Sequence, residues 1–182
     1  MLKIDLERVV FRSTRFNVVS QTISLGSKSE ERELIDMGDG VSMVILDSKN
    51  NVCLIKEWRS AFNSYIYQLP GGYCGDSRED ALIKAAKQEI QEELGLANTE
   101  ITLEKLKIFY PLGAMRNTVH IYIARVNQFA QKPKSEAFED IELASMPLDE
   151  AHTRFVLENE PTTAATIIGL NAAKNLIVRN RR

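Results

Sequence analysis

Residues 69–96 constrain the fold of this chain most strongly, because a proline, two glycines and a helical pattern follow one another there. The segment reads LPGGYCGDSREDALIKAAKQEIQEELGL. Ile83, Ala86, Ile90 and Leu94 recur at helical spacing, which predicts one buried stripe. We therefore expect a glycine-rich turn followed by a helix of about 15 residues that packs on a core.

The ends of this helix also carry local signals. Ser77 followed by Asp80 predicts a capping box, in which both side chains bond to backbone N–H groups of the first turn. Gly95 predicts a left-handed residue after the last turn.

Three carboxylates, Glu89, Glu92 and Glu93, fall within one turn of the same helix. Like charges at this spacing cost a helix about 0.2–0.5 kcal/mol per pair. A hard divalent cation such as Mg²⁺ prefers oxygen ligands and would turn this repulsion into attraction. Gly71 and Gly72 would let a carbonyl face the metal and a phosphate approach the backbone. An exposed acidic helix is the alternative, but the preceding glycine turn favours the metal site.

Short strand patterns surround this segment, so the sequence predicts an α+β fold with a β-rich sheet and few helices. A strand at 41–47 is expected to pair with the next strand across the turn SKNN. A short helix should begin at Pro147, and a closing helix should have Thr162 or Thr163 as its N-cap. Strands are expected within 5–36 and at 41–47, 52–59, 64–69, 101–110, 118–126 and 141–146.

Composition limits the class of partner and the compartment. The chain has 23 basic and 25 acidic residues and a net charge of -2, which does not favour nucleic-acid binding. No apolar run reaches the roughly 18 residues of a membrane helix. The two cysteines, Cys53 and Cys74, predict no disulfide framework. We expect a cytoplasmic protein without nucleic-acid or membrane partners.

The pattern LPGG…EIQEELGL resembles the Nudix box, G-x5-E-x7-R-E-U-x-E-E-x-G-U, where U is a bulky aliphatic residue. The matching residues are Glu89, Ile90, Glu92, Glu93, Gly95 and Leu96. The sequence departs from the box at Cys74 for glycine, Asp80 for glutamate and Gln88 for arginine. In the family that glutamate and arginine pair with each other, and we expect no such pair here.

Weaker resemblances extend over most of residues 40–180. VCLIKEWR before YQLPGG is similar to the segment of ADP-ribose and nucleotide-sugar pyrophosphatases that carries a substrate-binding arginine. Pro111 stands where that group has a proline, and the strand-rich N-terminus is similar as well. The resemblance implies a Nudix-type α/β/α sandwich with a mixed sheet over residues 41–182. It also implies an N-terminal antiparallel β region, residues 1–40, that forms a homodimer.

The activity that this resemblance implies is Mg²⁺- or Mn²⁺-dependent hydrolysis of a nucleoside diphosphate linked to another moiety. ADP-ribose or a nucleotide sugar would give a nucleoside monophosphate and a sugar phosphate. The implied metal ligands are Gly71, Glu89, Glu92 and Glu93. The implied catalytic residues are Glu92, Glu93 and a general base, Glu139 or in reserve Glu136. The implied substrate-binding residues are Arg59, Trp58, Arg116 and Gly72.

Two alternatives stay open at the level of sequence. One is hydrolysis of another nucleotide, either a dinucleotide or a triphosphate. The other is a Nudix-like protein that binds a nucleotide without cleaving it, which the replacements Asp80 and Gln88 leave possible.

Overall fold

A computed structural model of the chain describes residues 1–96, 101–129 and 141–180. These residues form strands, three α-helices and a π-helical turn at Thr153–Leu157. The strands are β1 (Lys3–Arg12), β2 (Asn17–Leu25), β3 (Lys28–Asp36), β4 (Asp39–Leu46), β5 (Asn51–Arg59), β6 (Ser64–Gln68), β7 (Gly71–Cys74), β8 (Glu104–Phe109), β9 (Met115–Arg116), β10 (Val119–Arg125) and β11 (Ile141–Pro147). The helices are α1 (Glu79–Leu94), α2 (Leu148–His152) and α3 (Ala164–Asn180).

The N-terminal strands form a sheet of their own. Strands β1, β2 and β3 make an antiparallel meander in the region where the sequence predicts strands. The short strand β9 extends this sheet by pairing in parallel with β3, where Ile35 lies opposite Met115. The predicted N-terminal β region is therefore present, and a distant segment that the sequence did not indicate completes it.

The second sheet is mixed and lies between helices. Its strand order is β11-β5-β4-β10-β8, with β6 paired to β5 and β7 paired to β4. Strand β10 runs parallel to β4, whereas the other pairs are antiparallel. Buried residues of α1 pack on one face, and those of α2 and α3 pack on the other. Strand β4 is buried along its whole length, which explains its continuous apolar run. The predicted α+β sandwich with a mixed sheet is confirmed.

The predicted hairpin of β4 and β5 holds only at its turn. The two strands pair at Leu46 and Val52, after which they diverge. Strand β6 takes the free edge of β5, and β7 takes the free edge of β4. The chain crosses between them at Pro70, whose carbonyl accepts a 2.9 Å hydrogen bond from the Met43 N–H. The glycine segment, predicted as a turn, is therefore an extended strand beside β4.

The helix ends confirm two of the three predicted caps. Gly95 has φ of 64° and donates its N–H to the Gln91 carbonyl. Thr163 accepts a 3.3 Å hydrogen bond from the Thr166 N–H at the start of α3. The capping box was wrong, because α1 starts one residue later and its N-cap, Arg78, makes no side-chain capping bond within the described chain. Ser77 instead lies beside Asp39, and its hydroxyl is among the groups that lower the pKa of Asp39.

Cys53 and Cys74 are buried free thiols. Across the described ranges, no helix is both long enough and apolar enough to cross a membrane.

Candidate functional site

The rotation of α1 about its axis decides which of its side chains reach β7, the strand that contains Gly71 and Gly72 and is called the glycine strand below. Ala86, Ile90 and Leu94 are buried against the mixed sheet, as their helical spacing predicts, whereas Ile83 is only partly buried and Leu82 takes the fully buried place beside it. This packing turns the adjoining face of the helix, which carries the glutamates, toward β7.

Glu93 is tied directly to the glycine strand. Its Oε2 accepts a 3.0 Å hydrogen bond from the Gly71 N–H, and the residue is only 8% exposed. Burial, together with the nearby charge of Glu93, raises the pKa of the Cys53 thiol to about 12. A buried carboxylate that is held by a backbone N–H is thus part of the site and not of a solvated helix surface.

Glu89 lies one turn earlier and fills the space that a side chain at position 72 would need. A methyl group built on Gly72 would lie 2.6 Å from Glu89 Cδ and 3.2 Å from its Oε2. The first of these distances is too short for any real contact. Gly72 is therefore required by the approach of the Glu89 carboxylate, and this is a physical reason for glycine at this position.

Glu92 is held by the residue that replaces the arginine of the Nudix box. Gln88 Nε2 donates a 2.9 Å hydrogen bond to Glu92 Oε1, one helical turn away. Asp80 is exposed in the first turn of α1. The expected absence of a pair between positions 80 and 88 agrees with this arrangement, because Gln88 is directed to Glu92 instead.

Glu79 attaches the first turn of α1 to the mixed sheet. Tyr122 on β10 donates its hydroxyl to Glu79 at 3.1 Å, and Lys105 on β8 forms an ion pair with Glu79. The hydrogen bond from Lys105, the first among several causes, lowers the pKa of Glu79. These contacts hold the start of α1 without the glutamate–arginine pair of the Nudix box.

Strand β5 brings arginine and a further glutamate to the same place. Arg59 Nη2 lies 3.0 Å from Glu57 Oε2, and both residues line the cleft of the helix glutamates. This cleft has a volume of about 310 Å³. Its lining residues are Arg15, Glu57, Arg59, Gly71, Gly72, Tyr73, Glu89, Glu92, Glu93 and Ile141. The structure thus gathers Arg59, both glycines and all three helix glutamates, each of which the sequence indicated.

The remaining candidates lie elsewhere. Trp58 is 44% exposed and, as the residue between Glu57 and Arg59 on β5, points to the opposite face of the strand. Arg116 on β9 forms ion pairs with Glu7 and, at 3.3 Å, with Asp36. Neither residue is among those that line the cleft within the described chain. Their substrate roles stay predictions.

The two candidates for the general base, Glu136 and Glu139, lie outside the described residues. Their role also stays a prediction.

The donor set of the cleft suits a hard cation. Carboxylates from three glutamates and the backbone of Gly71 are the oxygen ligands that Mg²⁺ prefers, and Gly72 leaves room for the Glu89 carboxylate. In the described part of the chain, however, no three acidic, histidine or cysteine side chains are already gathered at metal-binding spacing. The residues fit the metal in type, and binding requires their side chains to turn toward a common point.

Glu57, Tyr73 and Arg15 line the cleft although the sequence pattern did not single them out. Glu57 had a detectable signal, because residues two apart on a strand share a face and Arg59 was already a candidate. Tyr73 follows the selected glycines directly. Arg15 had no such signal, since its place depends on how the N-terminal sheet packs.

Comparisons with known proteins agree with this geometry. The model of the NUDIX domain matches residues 36–166, which is more than half of the chain. A CMP-5'-(N-acetyl-N-hydroxy-3-aminopropyl)phosphonate hydrolase of Streptomyces rubellomurinus is 29% identical over 172 residues, covering 93% of this chain and 81% of the relative. An ADP-ribose pyrophosphatase of Mycobacterium tuberculosis is 27% identical over 143 residues, covering 78% of this chain and 67% of the relative.

A solved structure, described as an ADP compounds hydrolase, has the same fold. It superimposes with a TM-score of 0.77 at 18% identity, covering 98% of this chain and 95% of the other. The fold, the family match and the glutamates of α1 beside the glycine strand lead to one conclusion: this chain belongs to the Nudix family.

Proposed function

We propose that this protein hydrolyses the P–O–P bond of a nucleoside diphosphate linked to another moiety, either ADP-ribose or a nucleotide sugar. The products would be a nucleoside monophosphate and a sugar phosphate. The observation that carries the proposal is the cleft in which Glu89, Glu92 and Glu93 face Arg59 and the glycine strand. The Nudix match and the similarity to two hydrolases indicate a pyrophosphohydrolase.

Each group of residues in the cleft would have a distinct role in such a reaction. Arg59 can bind a phosphate through its planar guanidinium, and the glycines let the diphosphate approach the backbone of β7. Glu89, Glu92, Glu93 and the Gly71 backbone would hold Mg²⁺ or Mn²⁺. When bound, the metal would neutralise phosphate charge and activate water for attack on phosphorus. Glu139 or Glu136 would accept the proton of the attacking water.

A second substrate class has specific support. The relative from Streptomyces rubellomurinus covers most of this chain, and its name describes cleavage of a CMP-linked phosphonate. A nucleoside monophosphate joined to a phosphonate presents a P–O–P bridge of similar charge. We propose this conjugate as the alternative to ADP-ribose.

The test is hydrolysis of ADP-ribose, nucleotide sugars and a CMP-phosphonate conjugate with Mg²⁺, measured as released nucleoside monophosphate. We expect Glu93→Gln to remove most turnover while the thermal melt shows a folded protein. Glu150→Gln, an exposed carboxylate on α2, is the matched control and should turn over normally. Normal turnover of Glu93→Gln with unchanged Mg²⁺ dependence would refute the assignment.

We further propose that residues 1–40 form a dimerisation region and that residues 41–182 form the hydrolase domain. Strand β1 is exposed along its entire length, and its exposed apolar residues include Ile4, Leu6 and Phe11. Apolar faces of this kind are typical of protein interfaces. Light scattering should show a homodimer that Leu6→Glu dissociates. The control, Leu157→Glu, changes an apolar residue of similar exposure away from this sheet and should leave the dimer intact.

A further inference from the structure

We propose that Glu57 is a positioning residue that holds the Arg59 guanidinium ready for a substrate phosphate, and that Gln68 in turn holds Glu57. The inference rests on the proposed function, because it takes Arg59 as a phosphate-binding residue. It concerns two residues that the Nudix box does not contain.

The contacts form a short chain that leads from the core to the cleft. Gln68 is 4% exposed, and its Nε2 donates a 2.6 Å hydrogen bond to Glu57 Oε2. The same oxygen lies 3.0 Å from Arg59 Nη2. The exposed fraction of the side chain is 16% for Glu57 and 42% for Arg59. The buried Gln68 amide thus holds the largely buried Glu57 carboxylate, and this carboxylate in turn holds the accessible Arg59 guanidinium.

The strand geometry explains why these side chains meet. Glu57 and Arg59 are two residues apart on β5 and so lie on one face of it. Gln68 lies on the adjacent strand β6, opposite Ile55, and is thus a diagonal neighbour of Glu57 on that face. The next amide, the Leu69 N–H, donates to the buried Thr166 hydroxyl at 3.0 Å. The end of β6 is therefore anchored to α3, and Gln68 has a fixed position.

A held arginine binds phosphate better than a mobile one. A free arginine side chain has about 2 kcal/mol of rotamer entropy to lose when it is immobilised. Contact with Glu57 removes part of this freedom before substrate arrives, and a pre-organised group binds more tightly. The guanidinium has five N–H donors in a rigid fork. One contact at Nη2 leaves donors for a phosphate.

If Glu57 only adds negative charge to the cleft, its removal should change the affinity for a nucleotide in the opposite direction. Glu57 shares the cleft with three other glutamates, so a carboxylate that only added negative charge would repel an anionic substrate. Its removal would then strengthen nucleotide binding. A positioning role requires that removal weaken binding, and only while Arg59 is present.

A double-mutant cycle tests this difference. The dissociation constant of ADP is measured by calorimetry with Mg²⁺ for the wild type, Glu57→Ala, Arg59→Ala and the double variant. We expect Glu57→Ala to raise Kd about tenfold, which corresponds to about 1.4 kcal/mol. In the Arg59→Ala background the same change should alter Kd by less than about twofold, because the positioned group is gone.

A conservative variant and kinetics complete the design. Glu57→Gln keeps a carbonyl acceptor for Arg59 and should bind ADP within about threefold of the wild type. It also carries the test if Glu57→Ala, which leaves the buried Gln68 amide unpaired, does not fold. For a hydrolysed substrate, Glu57→Ala should raise KM with kcat changed by less than about threefold, as for a residue that acts on binding.

Four results would overturn the inference: an equal effect of Glu57→Ala in both backgrounds, tighter ADP binding in Glu57→Ala, a Glu57→Gln variant as weak as Arg59→Ala, or no measurable binding of ADP to the wild type. The binding cycle does not require turnover. A protein that binds ADP through this arrangement but hydrolyses none of the tested substrates would refute the proposed function and not this inference.

Discussion

Replacing Gly72 by alanine should disable the site while leaving the fold intact. The added methyl group would overlap Glu89 Oε1 and lie 2.6 Å from Glu89 Cδ, so the carboxylate has to withdraw by more than the roughly 0.8 Å that Cδ alone would need to reach an ordinary 3.4 Å contact. Gly72 does not have a left-handed φ, so its backbone accepts alanine without strain. Since the carboxylate is the end of the flexible Glu89 side chain, we expect a change of the Glu89 rotamer to relieve the clash.

The magnitude follows from this displacement. A shift of about 1 Å in a catalytic group can cost about a hundredfold in rate, so kcat of Gly72→Ala should fall by about two orders of magnitude. The Mg²⁺ concentration for half-maximal activity should rise as well, because a proposed ligand has moved. The free energy of unfolding should change by less than about 1 kcal/mol, since the lost chain entropy of glycine offsets the side-chain adjustment.

Gly71→Ala is the matched comparison. A methyl group on Gly71 would overlap the Val41 carbonyl oxygen and lie 2.9 Å from Ser42 Cα. These are backbone atoms of the paired strand β4, so relief requires the sheet to move, at a cost of about 1–3 kcal/mol. Thermal melts and steady-state rates with a Mg²⁺ titration distinguish the two variants. Full turnover of Gly72→Ala with unchanged Mg²⁺ dependence would refute the reasoning.

Three further predictions concern the N-cap of α3, an ion pair of the N-terminal sheet and the two altered positions of the Nudix box. Thr163→Ala removes the N-cap of α3 and should destabilise the protein by about 1 kcal/mol in a denaturant melt; an unchanged midpoint would contradict this. The Arg116 guanidinium, aided by Gln21, lowers the pKa of Glu7 from 4.5 to about 2, so the ionised carboxylate stabilises the fold above pH 4.5. This contribution is lost as the pH falls toward 2, and Glu7→Gln should flatten that part of the curve of Tm against pH. Asp80→Glu combined with Gln88→Arg should raise neither Tm nor rate, because Gln88 holds Glu92, and a clear gain in either would contradict this.

Local periodicity was enough to predict much of this site. The buried stripe of α1 depends on spacing along one helix, so the common face of Glu89 and Glu93 follows from the sequence alone. Gly95 and Thr163 were predictable as caps because a helix end is satisfied by residues a few positions away. The Nudix box added the choice of Gly71 and the helix glutamates as metal ligands.

The errors arose where a residue has a choice of partners. Ser77 fits a capping box by its spacing, yet its hydroxyl acts on the pKa of Asp39, which is distant in sequence and close in space. The ion pairs of Arg116 with Glu7 and Asp36 of the N-terminal sheet were likewise not predictable from the sequence, and the role of Arg116 in substrate binding stays a prediction. Burial opposes ionisation of Asp39, but hydrogen bonds from Thr118, Ser77 and His120 outweigh it and lower the pKa of Asp39.

The sequence by itself determined that α1 is a helix and that one stripe of it is buried. Through the Nudix box it also indicated the family of the chain. Only the tertiary structure decided that the glycine segment is a strand beside β4, that Glu89 occupies the space above Gly72, and that the face of β5 with Glu57 and Arg59 lines the cleft. The physical reason is the range of the interactions. Backbone periodicity and capping act over a few residues, whereas strand pairing and ion pairs join residues whose separation along the chain says nothing about their distance in space.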